Sequence, residues 1–304
     1  MATFSLSDEQ KNEYFGRGYT GIKNALSPDL LKRLQDMATR FEKDIMEKHE
    51  QGERVHGSCV VNDPVGDRLM RYDEVYAADI DTTLDLLASP SMMAIFRDIC
   101  GRGAVPMQMD ILYKHQHPHP VVIWHQGAQH SRKYPYLNVG VFLDDSGEGD
   151  GCLRYVPDTQ HEKQDIQALS AEYGWDIPGV IEFPAMAGDI NIQDMMILHG
   201  SEPKRTDGVR RTIYIEIRPF EGITENGEQS QEWAELRRRL MGLVLRRANP
   251  EDWPEEWKND YPSDLGSDEE EIKKIVAKWE PPTPAYYATF PVDHPEYPVP
   301  SDMR

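Results

Sequence analysis

The chain has 304 residues, 39% hydrophobic and 9% aromatic, enough for one large domain or a domain with an appendage. Its formal net charge of −20 argues against a nucleic-acid polymer or an anionic membrane as partner, while leaving room for a local basic pocket. Three scattered cysteines, Cys59, Cys100 and Cys152, point to a reducing compartment without a disulfide framework. With no basic-then-apolar leader and no stretch approaching the ~18 apolar residues of a membrane span, the expectation is a cytoplasmic protein.

In chain order, Ser7 to Phe15 predicts a short capped helix and Gly16 to Ile22 a strand. Ser27-Pro28-Asp29 opens a longer helix, with Leu30, Leu34, Met37, Phe41 and Ile45 recurring at helical spacing. The polar, Gly-bearing stretch from Gln51 to Asp67 reads as a loop. Ile80 to Leu87 and Ser91 to Cys100 read as short helices, the second capped by Ser89 or Ser91. From Val105 the period becomes two. Met107 to Lys114, Val121 to Trp124, Leu137 to Leu143, Cys152 to Pro157, Val180 to Phe183, Asp189 to Gln193, Met196 to Leu198 and Arg211 to Ile217 are strand candidates separated by turns. His115 to Pro120 is a His- and Pro-rich turn whose spacing does not suit a metal site, and residues 162–176 form a helical or loop insertion. Many short strands predict a mainly β sandwich or barrel with flanking helices. Residues 1–220 hold this domain. Residues 221–304 form a helical and Pro-rich extension packed on it, with a basic helix from Ser230 to Arg247 whose Arg237-Arg238-Arg239 run reads as a solvated face or a partner for the acidic segments. The tail from Pro281 reads as an extended wrap.

Two stretches carry the chemistry. Trp124-His125-Gln126-Gly127 and Gly188-Asp189, running on to His199-Gly200-Ser201, each place a His at the end of an apolar run. Non-haem Fe(II) oxygenases hold iron through two His and one carboxylate and leave one face of the metal open. Arg210 follows His199 after eleven residues, and its guanidinium fork suits the distal carboxylate of a 2-oxo diacid. Lys114 closes the strand before the His-rich turn.

This order resembles the phytanoyl-CoA dioxygenase-like iron(II)/2-oxoglutarate enzymes over roughly residues 15–220. The matching pieces are Trp124-His125-Gln126, Leu137-Asn138-Val139, Gly151-Cys152-Leu153-Arg154-Tyr155-Val156-Pro157, Gly188-Asp189, His199-Gly200-Ser201 and Arg210-Arg211-Thr212. The resemblance implies a double-stranded β-helix, or jelly roll. It implies His125 and His199 as Fe(II) ligands, and Arg210 as the 2-oxoglutarate anchor with Lys114 and Ser201 as helpers.

The departure is Gly127, where the family carries the ligand Asp. In this respect the chain resembles the halogenase branch. A chloride at the vacated position would restore both coordination number and charge, and an Asp at 127 is expected to expel it. The rival readings are a hydroxylase in which water fills the position, including an Asp-to-Gly variant of one, and a binding relic without catalysis. Arg132, Lys133, Lys204 and Arg205, just after the two His-bearing stretches, suggest a basic mouth for an anionic, nucleotide-like small molecule, with His130 lining the pocket. Surface charge without a ligand is the competing reading for that group.

Overall fold

The computed structural model describes residues 3–73, 75–118 and 121–304; His119 and Pro120 of the His-rich turn lie outside them. Helix α1 (Asp8–Arg17) opens with a capping box: Ser7 Oγ accepts from Gln10 N, and the Gln10 side chain accepts from Ser7 N. Gly18, at φ 87°, ends the helix in the left-handed region, so strand β1 (Tyr19–Ile22) is shorter than the predicted one. Helix α2 (Pro28–Glu50) is capped by Ser27 and buries the predicted stripe from Leu30 to Ile45.

The predicted loop at 51–67 is corrected. It contains strand β2 (Ser58–Asp63), which forms a hairpin with β3 (Gly66–Asp73). This pair ends the large sheet, and β2 is mostly half-exposed, so it lacks the apolar alternation that marks a buried strand. Helices α3 (Ile80–Leu87) and α4 (Pro90–Ile95) follow, the latter widening into a π turn over Phe96–Cys100. Ser89 holds the N-cap position of α4 without a side-chain cap bond.

The strands that carry the site are β4 (Ala104–His115), β5 (Val122–Gln126), β6 (Leu137–Phe142) and β7 (Leu153–Val156), then, after helix α5 (Ile166–Tyr173), β8 (Ile181–Phe183), β9 (Ile190–Asp194), β10 (Leu198–Ser201) and β11 (Val209–Pro219). The C-terminal elements are α6 (Phe220–Asn226), α7 (Gln231–Arg247), α8 (Glu255–Lys258), α9 (Asp268–Ala277) and β12 (Tyr286–Tyr287).

The strands form a jelly roll of two antiparallel sheets: β1-β9-β6-β11-β4-β3-β2 and β12-β5-β10-β7-β8. Period two sorts the large sheet. Ile111, Ile213, Ile215, Val139, Val141, Ile190 and Ile192 are fully buried in the main core with the α2, α3 and α4 side chains. Their neighbours of opposite parity, including Asp110, Lys114, Asn138, Gln193, Arg210 and Glu216, are polar and turn inward. Fully burying one such Ile contributes about 1.5–3 kcal/mol, so this face holds the sheet in place.

Residues after 220 share that core through Trp233, Leu240, Leu243, Ile272 and Ile275. Arg237 is not on a solvated face: it is 2% exposed, with its guanidinium 4.2 Å over the Trp233 ring. Arg239 instead binds Glu271, and Arg246 and Arg247 bind Asp268, so part of the basic helix pairs with the acidic segment. The tail runs to the small sheet, where Tyr297 Oη accepts from Trp124 N and Trp175 Nε1 donates to Pro298 O. Cys100 and Cys152 are buried, Cys59 is half-buried, and all three are free. Among the described residues no helix is long and apolar enough to cross a membrane.

Candidate active site

Strands β5 and β10 pair antiparallel with His125 directly opposite His199, and their ring centroids lie 4.0 Å apart. Each ring is aimed by the same local bond. His125 Nδ1 lies 2.9 Å from Ile123 O, and His199 Nδ1 lies 2.8 Å from Ile197 O. A carbonyl only accepts, so Nδ1 carries the proton in both rings and Nε2 keeps its lone pair. Burial lowers the pKa of His125, and burial plus the neighbouring His125 pushes His199 well below the ordinary range. Both are therefore neutral imidazoles with unprotonated Nε2 atoms, the form a metal ion requires; the His199 Nε2 lies 3.0 Å from Gln193 Nε2.

A cationic floor is buried on two neighbouring strands and tied to the cavity through Ser201, two residues after His199. Lys114 and Arg210 are register partners on β4 and β11, 0% and 4% exposed. Lys114 Nζ donates to Ser201 Oγ at 2.5 Å and Ser201 O at 3.2 Å. Arg210 Nη1 donates to Ser146 Oγ at 2.8 Å and Gly151 O at 2.5 Å, while Arg210 Nε has no partner. Gly151 is required here: its φ is 69°, and a Cβ would lie 3.0 Å from Lys114 Cε and 2.7 Å from Glu202 O. Burial, and secondarily Arg210, drives the Lys114 pKa well below its ordinary value; burial also lowers that of Arg210. Neither cation has an ion-pair partner among the described residues. Buried charges without counter-charges are costly, and two such groups side by side can take up an anion of carboxylate geometry.

Gly127 follows His125 by two residues. Its N–H donates to Met195 O at 2.6 Å, and a Cβ built on it would lie 2.5 Å from that same carbonyl and 3.0 Å from Met195 Cε. Any side chain at 127 therefore meets backbone, where no flexible end can give way. An Asp placed there to supply a third ligand would first have to displace this backbone. Among the described residues no group of three His, Cys, Asp or Glu side chains could hold a metal.

The His pair and Gly127 open into a cavity of about 390 Å³, also lined by Ser201. One wall, on the inner face of the large sheet, carries Arg71, Asp110, Asn138, Tyr214 and Glu216. Arg71 Nη2 binds Asp110 Oδ2 at 2.6 Å and Arg71 Nε binds Asp73 Oδ1 at 2.5 Å, while Tyr136 Oη donates to Glu216 Oε2 at 2.7 Å. The opposing wall comes from the C-terminal tail, Pro282 to Ala285 and Tyr287. Tyr287 pairs with His125 across β12 and β5, and its ring stacks on His125 at 5.1 Å and 11°. Parity along β4 and β11 could have flagged Asp110, Tyr214 and Glu216, which share a face with Lys114 and Arg210. Nothing local in the Pro-rich tail announced Tyr287.

The residues of the expected basic mouth are not among those lining this cavity, and each pairs with a nearby group instead. His130 Nε2 lies 3.2 Å from Asp194 Oδ1. Arg132 donates to Gln160 O and faces Asp194 at 3.6 Å. Lys133 binds Glu225 at 2.7 Å, Lys204 binds Asp150 at 3.1 Å, and Arg205 binds Asp302 at 2.7 Å.

A jelly roll with two neutral His on facing strands, above a buried cationic floor, belongs to the class of metal-dependent oxygenases that take a dicarboxylate cosubstrate. The family model for phytanoyl-CoA dioxygenase (PhyH) matches residues 14–212, and the chain belongs to that family of iron(II)/2-oxoglutarate oxygenases. Among solved structures the chain is similar to AviO1 from Streptomyces viridochromogenes Tue57, at 26% identity and TM-score 0.59, covering 71% of this chain and 96% of that one. HygX from Streptomyces hygroscopicus, with nickel and 2-oxoglutarate bound, matches at 16% identity and TM-score 0.56, over 71% and 88%. EvdMO1 matches at 22% identity and TM-score 0.59 over 69% of this chain, which spans about half (49%) of that longer one. No curated protein matches the sequence.

Proposed function

We propose that the protein is an iron(II)/2-oxoglutarate-dependent halogenase acting on an aliphatic carbon of a small molecule. His125 and His199 hold the iron, Arg210 anchors 2-oxoglutarate with help from Lys114 and Ser201, and a chloride occupies the position beside Gly127. The observation that carries this reading is the blocked third ligand: two neutral His face each other with their Nε2 atoms unprotonated, while a Cβ at 127 would lie 2.5 Å from Met195 O. The residues fit the group. Two neutral His leave a doubly charged metal uncompensated, and a halide replaces the missing carboxylate in charge and in number. Bound iron with its cosubstrate and oxygen supplies hydrogen-atom abstraction and delivery of a halogen or hydroxyl to the carbon radical.

The protein contributes placement. Lys114 and Arg210 neutralise the cosubstrate's distal carboxylate, Ser201 orients the ammonium, and Tyr287 stacks over His125. The substrate enters between the tail and the wall formed by Asp110, Asn138 and Glu216. That wall also carries the Arg71 guanidinium against Asp110, and suits a ligand presenting both hydrogen-bond donors and acceptors there. The basic residues that suggested a phosphate are engaged elsewhere.

The test is product analysis by mass spectrometry across a substrate screen, with and without chloride, beside crystals soaked in bromide. A chloride-dependent chlorinated product and an anomalous peak next to Gly127 are expected. A hydroxylated product regardless of chloride, with only water at that position, would hand the assignment to a hydroxylase. Gly127→Asp is expected to lose chlorination and some stability together, because its Cβ must displace the Met195 backbone.

A further inference from the structure

Gln193 lies on β9 inside the jelly roll, 1% exposed, with its Nε2 3.0 Å from His199 Nε2. The orientation of its amide is set by a relay. Asn191 Nδ2 donates to Tyr155 Oη at 2.8 Å, Tyr155 Oη–H donates to Gln193 Oε1 at 2.7 Å, and Asn191 Nδ2 also reaches Gln193 Oε1 at 3.3 Å. With the oxygen occupied by donors, the NH2 group faces the imidazole. His199 Nδ1 carries a proton for Ile197 O, so the acceptor of the Gln193 N–H is the lone pair on His199 Nε2. A metal bound to His199 takes that same lone pair. Gln193 would then hold a buried donor within hydrogen-bonding reach of the ligating atom and no acceptor for it, a condition proteins avoid. The acceptor that can replace the lone pair is another ligand of the same metal.

Position selects which ligand. The cosubstrate anchors sit on β4 and β11, and β6 separates β9 from β11, so Gln193 lies roughly 10 Å from the anchoring strand at the usual inter-strand spacing. Gln193 is instead two residues before Met195, whose carbonyl accepts the Gly127 N–H at 2.6 Å. We propose that Gln193 is a halide-holding residue, its side-chain N–H donating to the halide that stands in for the missing carboxylate beside His199. This inference rests on the halogenase reading. It also accounts for an amide at this position: a carboxylate there would offer the halide charge repulsion and no donor.

Anaerobic chloride titration of the protein loaded with Fe(II) and 2-oxoglutarate, followed by the visible charge-transfer band of that complex, tests it without turnover. In wild-type protein the band should respond to chloride and saturate. Gln193→Ala should raise the chloride Kd about tenfold or more, as loss of one hydrogen bond to a charged acceptor does, with iron and 2-oxoglutarate affinities unchanged. Gln193→Glu, nearly isosteric, should abolish the response, with the circular dichroism spectrum and melting temperature of both variants confirming the fold. Equal chloride affinity in wild type and both variants overturns the role of Gln193 and leaves the halogenase reading standing. Weakened 2-oxoglutarate binding with unchanged chloride binding also overturns it, assigning the amide to the cosubstrate. No chloride response in wild-type protein with normal iron and 2-oxoglutarate binding defeats the halogenase reading itself, and this inference with it.

Discussion

The inner face of the large sheet carries two charged patches, and they are built on opposite principles. On the floor, Lys114 and Arg210 lie side by side with no carboxylate partner among the described residues. At the mouth, Arg71 sits between Asp73 and Asp110, with Glu216 close by. Burial pulls both floor cations below their ordinary pKa values. At the mouth Asp110, then Asp73, holds Arg71 above its ordinary value, while burial pushes the Asp110 carboxyl up to about 7 against the pull of Arg71. The Arg71 patch is compensated by its own residues; the floor has no carboxylate of its own among the described residues, and on the proposed reading the cosubstrate's distal carboxylate supplies one. A charged patch whose partners are missing is thus a better guide to a ligand than one whose partners are present.

The largest effect should come from breaking the floor. Arg210→Ala removes a buried guanidinium contact worth about 2–5 kcal/mol to a bound carboxylate, and should raise the 2-oxoglutarate Kd by well over tenfold while iron binding persists. An unchanged cosubstrate requirement would move the anchor elsewhere. Next, Lys114→Met should weaken 2-oxoglutarate binding yet stabilise the ligand-free protein by about 1–3 kcal/mol in urea denaturation, because an uncompensated buried cation is replaced by an apolar chain of similar length. A destabilised ligand-free variant would show that the bonds to Ser201 outweigh the desolvation cost.

At the mouth, the folded chain keeps a proton on Asp110 up to about pH 7, whereas the unfolded chain releases it near 3.8. The folded state therefore binds more protons across that window, and this contribution to stability falls as pH rises from about 4 to about 7. Asp110→Asn, neutral throughout, should flatten the slope by about 1–2 kcal/mol, read from denaturation midpoints at pH 5 and 8. Parallel pH dependences in the two proteins would count against a protonated Asp110. The smallest effect belongs to Arg205→Ala, which loses only the outward pair with Asp302 and should change stability by less than about 0.5 kcal/mol and leave kinetics intact. A marked rise in substrate KM would restore a role for Arg205 in binding.

The amino-acid sequence by itself determined the jelly roll and the residues that converge in it. Alternation of apolar and polar residues commits a strand to two faces, so once β4 and β11 form, Lys114 and Arg210 must turn inward together, and His125 and His199 lie on strands that pair opposite one another. The edge hairpin β2–β3 escaped because half-exposed strands carry no such alternation. Tertiary structure alone decided the rest. That Gly127 has no room for a side chain depends on a carbonyl at Met195, that Tyr287 covers His125 depends on a tail strand reaching β5, and that Arg205 is spent on Asp302 depends on a partner far along the chain. Periodicity reports which way a side chain points; whether a neighbour's atom already stands there, or a counter-charge already answers it, is settled only when distant segments pack.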